Sequence, residues 1–310
     1  MTVAKKPSWQ GHAAAVAALA FSIAASQCAQ AADAEIERAL PENHGHVDAK
    51  LFLGTGTNQP LIVGFGGAEG GNMFASDRVR PGVEQSLKKG YAFLAVGYFD
   101  APGTPKELDR IALEGIHEAI QTAARNPLVN GKCIAVLGAS KGGELALLLA
   151  SHYPDIKAVV GLVPGFAVFV GHTSTLDTPS FSLNGKPLAF VPVPKSAVPF
   201  LLPPNRNLRL AWEEMLKDKV AVEKASIAVE RINGPILLVS ARRDEFWPST
   251  EMSVAIGERL KEHNFPYKFE HVAIDGTHNE VYDHSDLSEN FLDANLLQQA
   301  AAGCPRSPKK

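Results

Sequence analysis

"AVLGASKGGELALLLAS", residues 135–151, decides the reading of this chain. An apolar run ends at Gly138, Ser140 follows, Gly142 comes two residues later, and a helical pattern begins. Gly138-Ala139-Ser140-Lys141-Gly142 fits G-x-S-x-G, a pentapeptide common by chance that gains meaning only between a strand and a helix. Both contexts are present, "CIAVL" before it and "GELALLLAS" after it. At such a turn the flanking residues must be glycines, because Cβ atoms would strike the neighbouring strand and helix. The serine hydroxyl is then lifted to the carboxyl edge of a sheet, above a helix N-terminus. The competing reading is a small residue in a glycine-rich corner. A nucleophile needs partners and a core serine does not, so the rest of the chain decides.

Outward from the serine, strand-like and helix-like segments alternate. "QPLIVGFGG" (59–67) and "YAFLAVGYF" (91–99) read as buried strands separated by "VRPGVEQSLKKG" (79–90), a helix stopped at Gly90. "GTPKELDRIALEGIHEAIQTAARNP" (103–127) has apolar residues at three- and four-residue intervals and predicts a helix. "IKAVVGLVPG" is a strand after the serine helix. "GPILLVSARRDEF" (234–246), "STEMSVAIGERLKEHNF" and "YKFEHVAID" then repeat strand, helix, strand. Continuous apolar runs suit strands buried on both faces, and the alternation predicts a mostly parallel sheet covered by helices on both faces. The fold class is α/β.

Residues 165–233 break the alternation. "PSFSLNGKPLAFVPVPKSAVPFLLPPNRN" is rich in proline and large apolar residues, and "LRLAWEEMLKDKVAVEKA" looks helical. Proline hinders regular strand pairing, and an insertion this long reads as a lid over a binding site, or as a structural flap.

A serine hydroxyl needs a base, itself oriented by an acid, in the chain order serine, acid, histidine. His278, in "AIDGTHNEVYDH", follows the last strand on a glycine-containing loop and is the first choice as base. His271, inside a strand pattern, and His284, farther from the strand end, compete with it. Asp244, just past "ILLVSARR", is the better placed acid and Glu245 the alternative. The oxyanion formed on attack needs N–H donors. One should be the backbone N–H of Lys141; "GFGGAEGG" (64–71) should supply the second, from Gly67 first and Ala68 second. That loop lacks the Lys-Ser/Thr ending of a phosphate-binding loop.

Together, "GFGGAEGG", "YAFLAVGYF", "LEGIHEAIQTAARNPLVNGKCIAVLGASKGGELALLLAS" and "ASIAVERINGPILLVSARRDEFWPSTEMSVAIGERL" resemble one α/β-hydrolase family. It is the C-terminal catalytic domain of acyl-CoA thioesterases and bile acid-CoA:amino acid N-acyltransferase. The resemblance implies a triad of Ser140, Asp244 and His278. Family members usually carry an N-terminal β-sandwich module, for which this chain has no room. Members that transfer acyl groups to amino acids tend to use cysteine as nucleophile. Serine here therefore points to hydrolysis of an acyl ester or thioester.

The remaining composition bounds the setting. Lys5 and Lys6, the apolar run 13–25 and "AQA" (29–31) read as an export signal cleaved after Ala31, leaving one α/β-hydrolase domain over 32–310. The run is too short for a membrane span, so no stable span is expected after cleavage, and the setting is periplasmic or secreted. Cleavage removes the two lysines and no acid, taking the formal charge from −3 to −5. With no dense basic block, nucleic acid is not an expected partner; the expected partner is a small acyl (thio)ester. No metal or cofactor is required, and no cluster has zinc spacing. Cys133 and Cys304 are left in an oxidising compartment, where they either pair or, with Cys133 buried in a strand, stay apart. A peptidase of the same fold, or a binding protein that kept the fold without catalysis, are the other readings.

Overall fold

The computed structural model describes residues 39–300 and Cys304. The export-signal pattern over 1–31 lies outside the described residues. Among the described residues ten strands occur in chain order: β1 (Asp48–Phe52), β2 (Gln59–Phe65), β3 (Ala92–Gly97), β4 (Ile111–Ala112), β5 (Val129–Ala139), β6 (Ile156–Leu162), β7 (Phe181–Leu183), β8 (Lys186–Pro187), β9 (Ile236–Ala241) and β10 (Phe269–Ile274). Seven of them form one sheet in the order β1-β3-β2-β5-β6-β9-β10, and β4, β7 and β8 form a small second one. Only β1 runs antiparallel in the large sheet.

The continuous apolar runs divide by the two-residue period of a strand. Leu61, Val63 and Phe65 of β2 and Ile134 and Val136 of β5 face one side. There they meet Leu113, Ile116 and Ile120 of helix Leu113–Ala124 and the leucines of helix Lys141–His152. Ile62, Phe93, Val160 and Val239 face the other side, against Val83 of helix Arg80–Lys88 and Phe291 and Leu292 of helix Ser285–Leu292. Every residue of β2, β3 and β9 is buried. At about 1.5–3 kcal/mol for each large apolar side chain buried, these two layers carry the stability of the fold.

Three expected elements differ. The helix expected over 103–127 begins only at Leu113, because the chain before it is drawn toward the insertion. The Arg110 N–H donates to Pro179 O and the Ile111 N–H to Ser180 O, both at 2.9 Å, and Arg110 sits at φ 48°. The helical reading of 208–225 divides into Leu208–Met215 and Lys219–Ala225, since the Asp218 carboxylate accepts the Ala221 N–H at 3.0 Å and starts a new helix. The strand expected over 234–246 stops at Ala241, where the chain leaves the sheet.

The 165–233 segment is not simply irregular. Phe169, Val191, Ala211 and Met215 form a core of their own, completed by Trp247 and Met252. Cys133 and Cys304 pair, with both residues buried and 171 positions apart in sequence. Burial of Cys133 does not oppose pairing, because Cys304 is buried with it. Among the described residues no helix is long and apolar enough to cross a membrane.

Candidate active site

Parallel strands bring the residues singled out from sequence to one edge of the sheet. β5 ends at Ala139, β9 at Ala241 and β10 at Ile274, and register pairs Ala139 with Leu162, Leu162 with Val239, and Ala241 with Ile274. Ser140, Asp244 and His278 follow those carboxyl ends.

Ser140 has φ 55° and ψ −119°, a left-handed conformation for a residue with a Cβ. Such a position costs of order 1–3 kcal/mol and persists only where the surroundings impose it. Here the Ser140 N–H donates to Leu162 O at 2.8 Å, and Ser140 O accepts the N–H groups of Gly143 and Glu144 at 2.9 and 3.1 Å. The glycines are sterically required. A Cβ on Gly138 would lie 2.0 Å from Gly142 O, and one on Gly142 would lie 2.4 Å from Gly66 O. The second contact brings the loop after β2 against the serine turn.

Asp244 and His278 are joined. Both Asp244 carboxylate oxygens lie 2.9 Å from His278 Nδ1, and both residues are buried. Asp244 Oδ1 also accepts the N–H groups of Phe246 and Trp247 at 3.0 and 3.2 Å. Glu245, the alternative acid, is exposed and accepts the His278 backbone N–H at 3.0 Å, so it anchors the histidine loop rather than the ring. Of the competing histidines, His271 lies within β10 with Nε2 2.7 Å from Ser240 Oγ, and His284 is exposed. No hydrogen bond joins Ser140 to His278 among the described residues.

Lys141 is the first residue of its helix, so its backbone N–H has no acceptor within that helix. Gly67 stands beside it: a Cβ there would lie 3.3 Å from both Ser140 Cβ and Ala139 O. Ala68 is the next, half-buried residue. Glu69 Oε2 lies 2.8 Å from the same Gly67 Cβ point, which places a carboxylate at the rim of the loop. Burial, with the charge of Glu69 as a second cause, pushes the Tyr282 phenol up to about 12.

Sequence reasoning used only the backbone of Lys141 and overlooked its side chain. Lys141 is 1% exposed and Glu144 fully buried, with Lys141 Nζ 3.0 Å from Glu144 Oε2. Burial draws the ammonium below the usual lysine range and holds the Glu144 carboxyl above its usual range. A visible signal was two charges three residues apart inside the apolar run "KGGELALLLAS". Arg209, from the insertion, was also missed; its Nη1 donates to Asp244 O at 3.1 Å.

A strand–serine–helix turn at the carboxyl edge of a parallel sheet, beside an Asp–His pair, defines an α/β-hydrolase fold. Solved structures agree. A Mycobacterium tuberculosis puromycin-hydrolyzing peptidase superposes with a TM-score of 0.56 at 14% identity, over 81% of this chain and 37% of that one. The α/β hydrolase GrgF from Penicillium sp. sh18 gives 0.53 at 16% identity, over 81% and 99%. The chain belongs to the BAAT / acyl-CoA thioester hydrolase C-terminal family, whose model matches residues 111–279. Among curated relatives, acyl-coenzyme A thioesterase 1 of Mus musculus is 29% identical over 227 residues, 73% of this chain and 50% of the relative. The peroxisomal succinyl-coenzyme A thioesterase of Mus musculus is 28% identical over 236 residues, with the same shares. The chain thus spans about half the length of the curated relatives it matches.

Proposed function

We propose that this protein is an exported serine hydrolase that cleaves an acyl ester or thioester through Ser140, His278 and Asp244. The observation that carries the reading is the Asp244–His278 pair, buried on the same sheet edge as a serine held at φ 55°. Asp244 fixes the proton on Nδ1 of His278 and leaves Nε2 as the base. His278 takes the Ser140 hydroxyl proton as Oγ attacks the carbonyl carbon. The resulting oxyanion is held by the N–H groups of Lys141 and Gly67. The bond to the leaving thiol or alcohol then breaks, and His278 returns the proton to that group. Water, deprotonated by His278, attacks the acyl-enzyme; Ser140 regains its proton and the carboxylic acid leaves.

The thioester label is supported by the family and the curated relatives, and the choice of water as acceptor by serine as nucleophile. Export is supported by the residue pattern over 1–31 and by the Cys133–Cys304 pair, a bond that persists in oxidising compartments. The test is hydrolysis of matched acyl-CoA thioesters and simple acyl esters of the same chain length, followed by release of free thiol or alcohol. Turnover of either class by the wild type, lost in Ser140→Ala, supports the reaction class, and the ratio between classes identifies the leaving group. Equal turnover by Ser140→Ala would refute it.

A further inference from the structure

The Lys141–Glu144 pair is expensive for a helix that could bury two apolar side chains instead. Desolvating each ion costs several kcal/mol, and apolar replacements of similar volume are often as stable or more so. Its partners show what the pair does. Lys141 Nζ donates to Glu144 Oε1 and Oε2 at 3.3 and 3.0 Å and to Ser180 Oγ at 2.7 Å. Ser180 Oγ in turn donates toward Phe169 O and Val170 O, each 3.1 Å away. Glu144 Oε1 accepts the Phe169 N–H at 3.2 Å. The ammonium also lies 5.7 Å from the Phe169 ring centre and 5.9 Å from that of Trp212. Apart from the two charged residues themselves, every one of these partners belongs to the 165–233 insertion.

The same insertion reaches the other half of the site. Trp212 packs edge-on against Trp247 with ring centres 5.3 Å apart. Trp247 donates its indole N–H to Val163 O at 3.1 Å and its backbone N–H to Asp244, and its ring centre lies 6.4 Å from that of His278. One contiguous network, buried except at the half-buried Trp212, therefore runs from the first residue after the serine, through the insertion, to the acid and base.

We propose that the Lys141 side chain is a positioning residue. Its ammonium, held by Glu144 and Ser180, docks the 165–233 insertion onto the serine turn. That docking fixes the Lys141 backbone N–H as an oxyanion donor and sets the Trp212–Trp247 wall beside His278. The proposal rests on the reading of Ser140 as nucleophile. Ion pairing here sets register, and its loss misplaces a donor rather than removing it; a misplacement of about 1 Å can cost roughly 100-fold in rate.

The test compares the full-length wild type with Lys141→Met, Lys141→Met/Glu144→Gln and Ser180→Ala. The double variant removes both charges yet keeps an acceptor for the Phe169 N–H. Thermal midpoint, kcat and KM on p-nitrophenyl butyrate, and the rate of fluorophosphonate labelling are read for each. Lys141→Met, which leaves Glu144 unpaired, should lose both midpoint and kcat. The double variant should recover the midpoint while kcat and labelling stay down roughly 10- to 100-fold with KM little changed. Recovery of kcat together with the midpoint would show a merely structural pair and overturn the proposal. Should the double variant fail to recover its fold, Ser180→Ala decides. A several-fold fall in kcat at a near-native midpoint supports docking, and an unchanged kcat overturns it. A wild type that neither turns over nor labels fails at the nucleophile, and the proposal falls with that reading.

Discussion

Asp244 holds the imidazole of His278 with both carboxylate oxygens, each 2.9 Å from Nδ1, while its Oδ1 is fixed by two backbone N–H groups. The carboxylate cannot turn away without losing those donors, so the ring is locked in one orientation. Asp244→Asn keeps the shape and reverses the polarity of the contact with Nδ1. It should reduce kcat by about 10³- to 10⁴-fold. Glu245→Gln, which touches only the His278 backbone, should stay within about tenfold of wild type. Steady-state kinetics of the two variants on one ester checks the assignment, and the reverse order of effects would transfer the acid role to Glu245.

Glu69 brings negative charge to the loop that should stabilise an oxyanion. In partly solvated space, like charges a few ångströms apart repel by about 1 kcal/mol. Glu69→Gln should therefore raise kcat/KM on an uncharged ester by about fivefold at low salt, with the gain shrinking as ionic strength rises. A fall in kcat/KM would mean that the carboxylate assists the reaction.

Much of this was legible from the chain and some was not. The serine turn was readable because the strand, the G-x-S-x-G pentapeptide and the helix are contiguous in the chain, although only Gly138 is dictated locally, by Gly142 O, while Gly142 answers to Gly66 O from the loop after β2. Asp244 and His278 were readable because parallel strands deliver their loops to one edge in a fixed order. Tertiary contacts hid the rest. Residues before Leu113 have helical spacing but donate their N–H groups to Pro179 and Ser180, 69 positions away for the pair Arg110 and Pro179. Asp218 reads as one more polar residue in a helix until its side chain is seen capping Ala221. The role of the Lys141 side chain depends on Ser180, Phe169 and Trp212, all from the insertion that sequence patterning described least well.

The Cys133–Cys304 bond ties the chain beyond the last helix to the strand that leads to Ser140. Closing a loop of 171 positions contributes about 3–5 kcal/mol by restricting the unfolded chain. Cys304→Ser, or reduction of the wild type, should lower the thermal midpoint by roughly 6–20 °C and leave kcat near wild type below the melt. An unchanged midpoint would mean that the bond does not form in the folded protein.

Desolvation lowers the pKa of His152, His172 and His271 alike, so each adds to the pH dependence of stability, and His271 is the one on a strand that leads to the site. Burial within β10, with Arg242 as a second cause, lowers its pKa below the ordinary histidine value of about 6.5. The unfolded chain therefore binds a proton more readily than the folded one. The associated stability is complete above about pH 6.5 and is lost as pH falls toward the folded value. Between about pH 7 and pH 5 the wild-type midpoint should fall more steeply than that of His271→Gln. Parallel curves would show that His271 does not contribute.

Intact mass before and after a fluorophosphonate reads out whether Ser140 is an activated nucleophile. One covalent adduct is expected on the wild type and none on Ser140→Ala. An adduct on both, or on neither, would contradict that role.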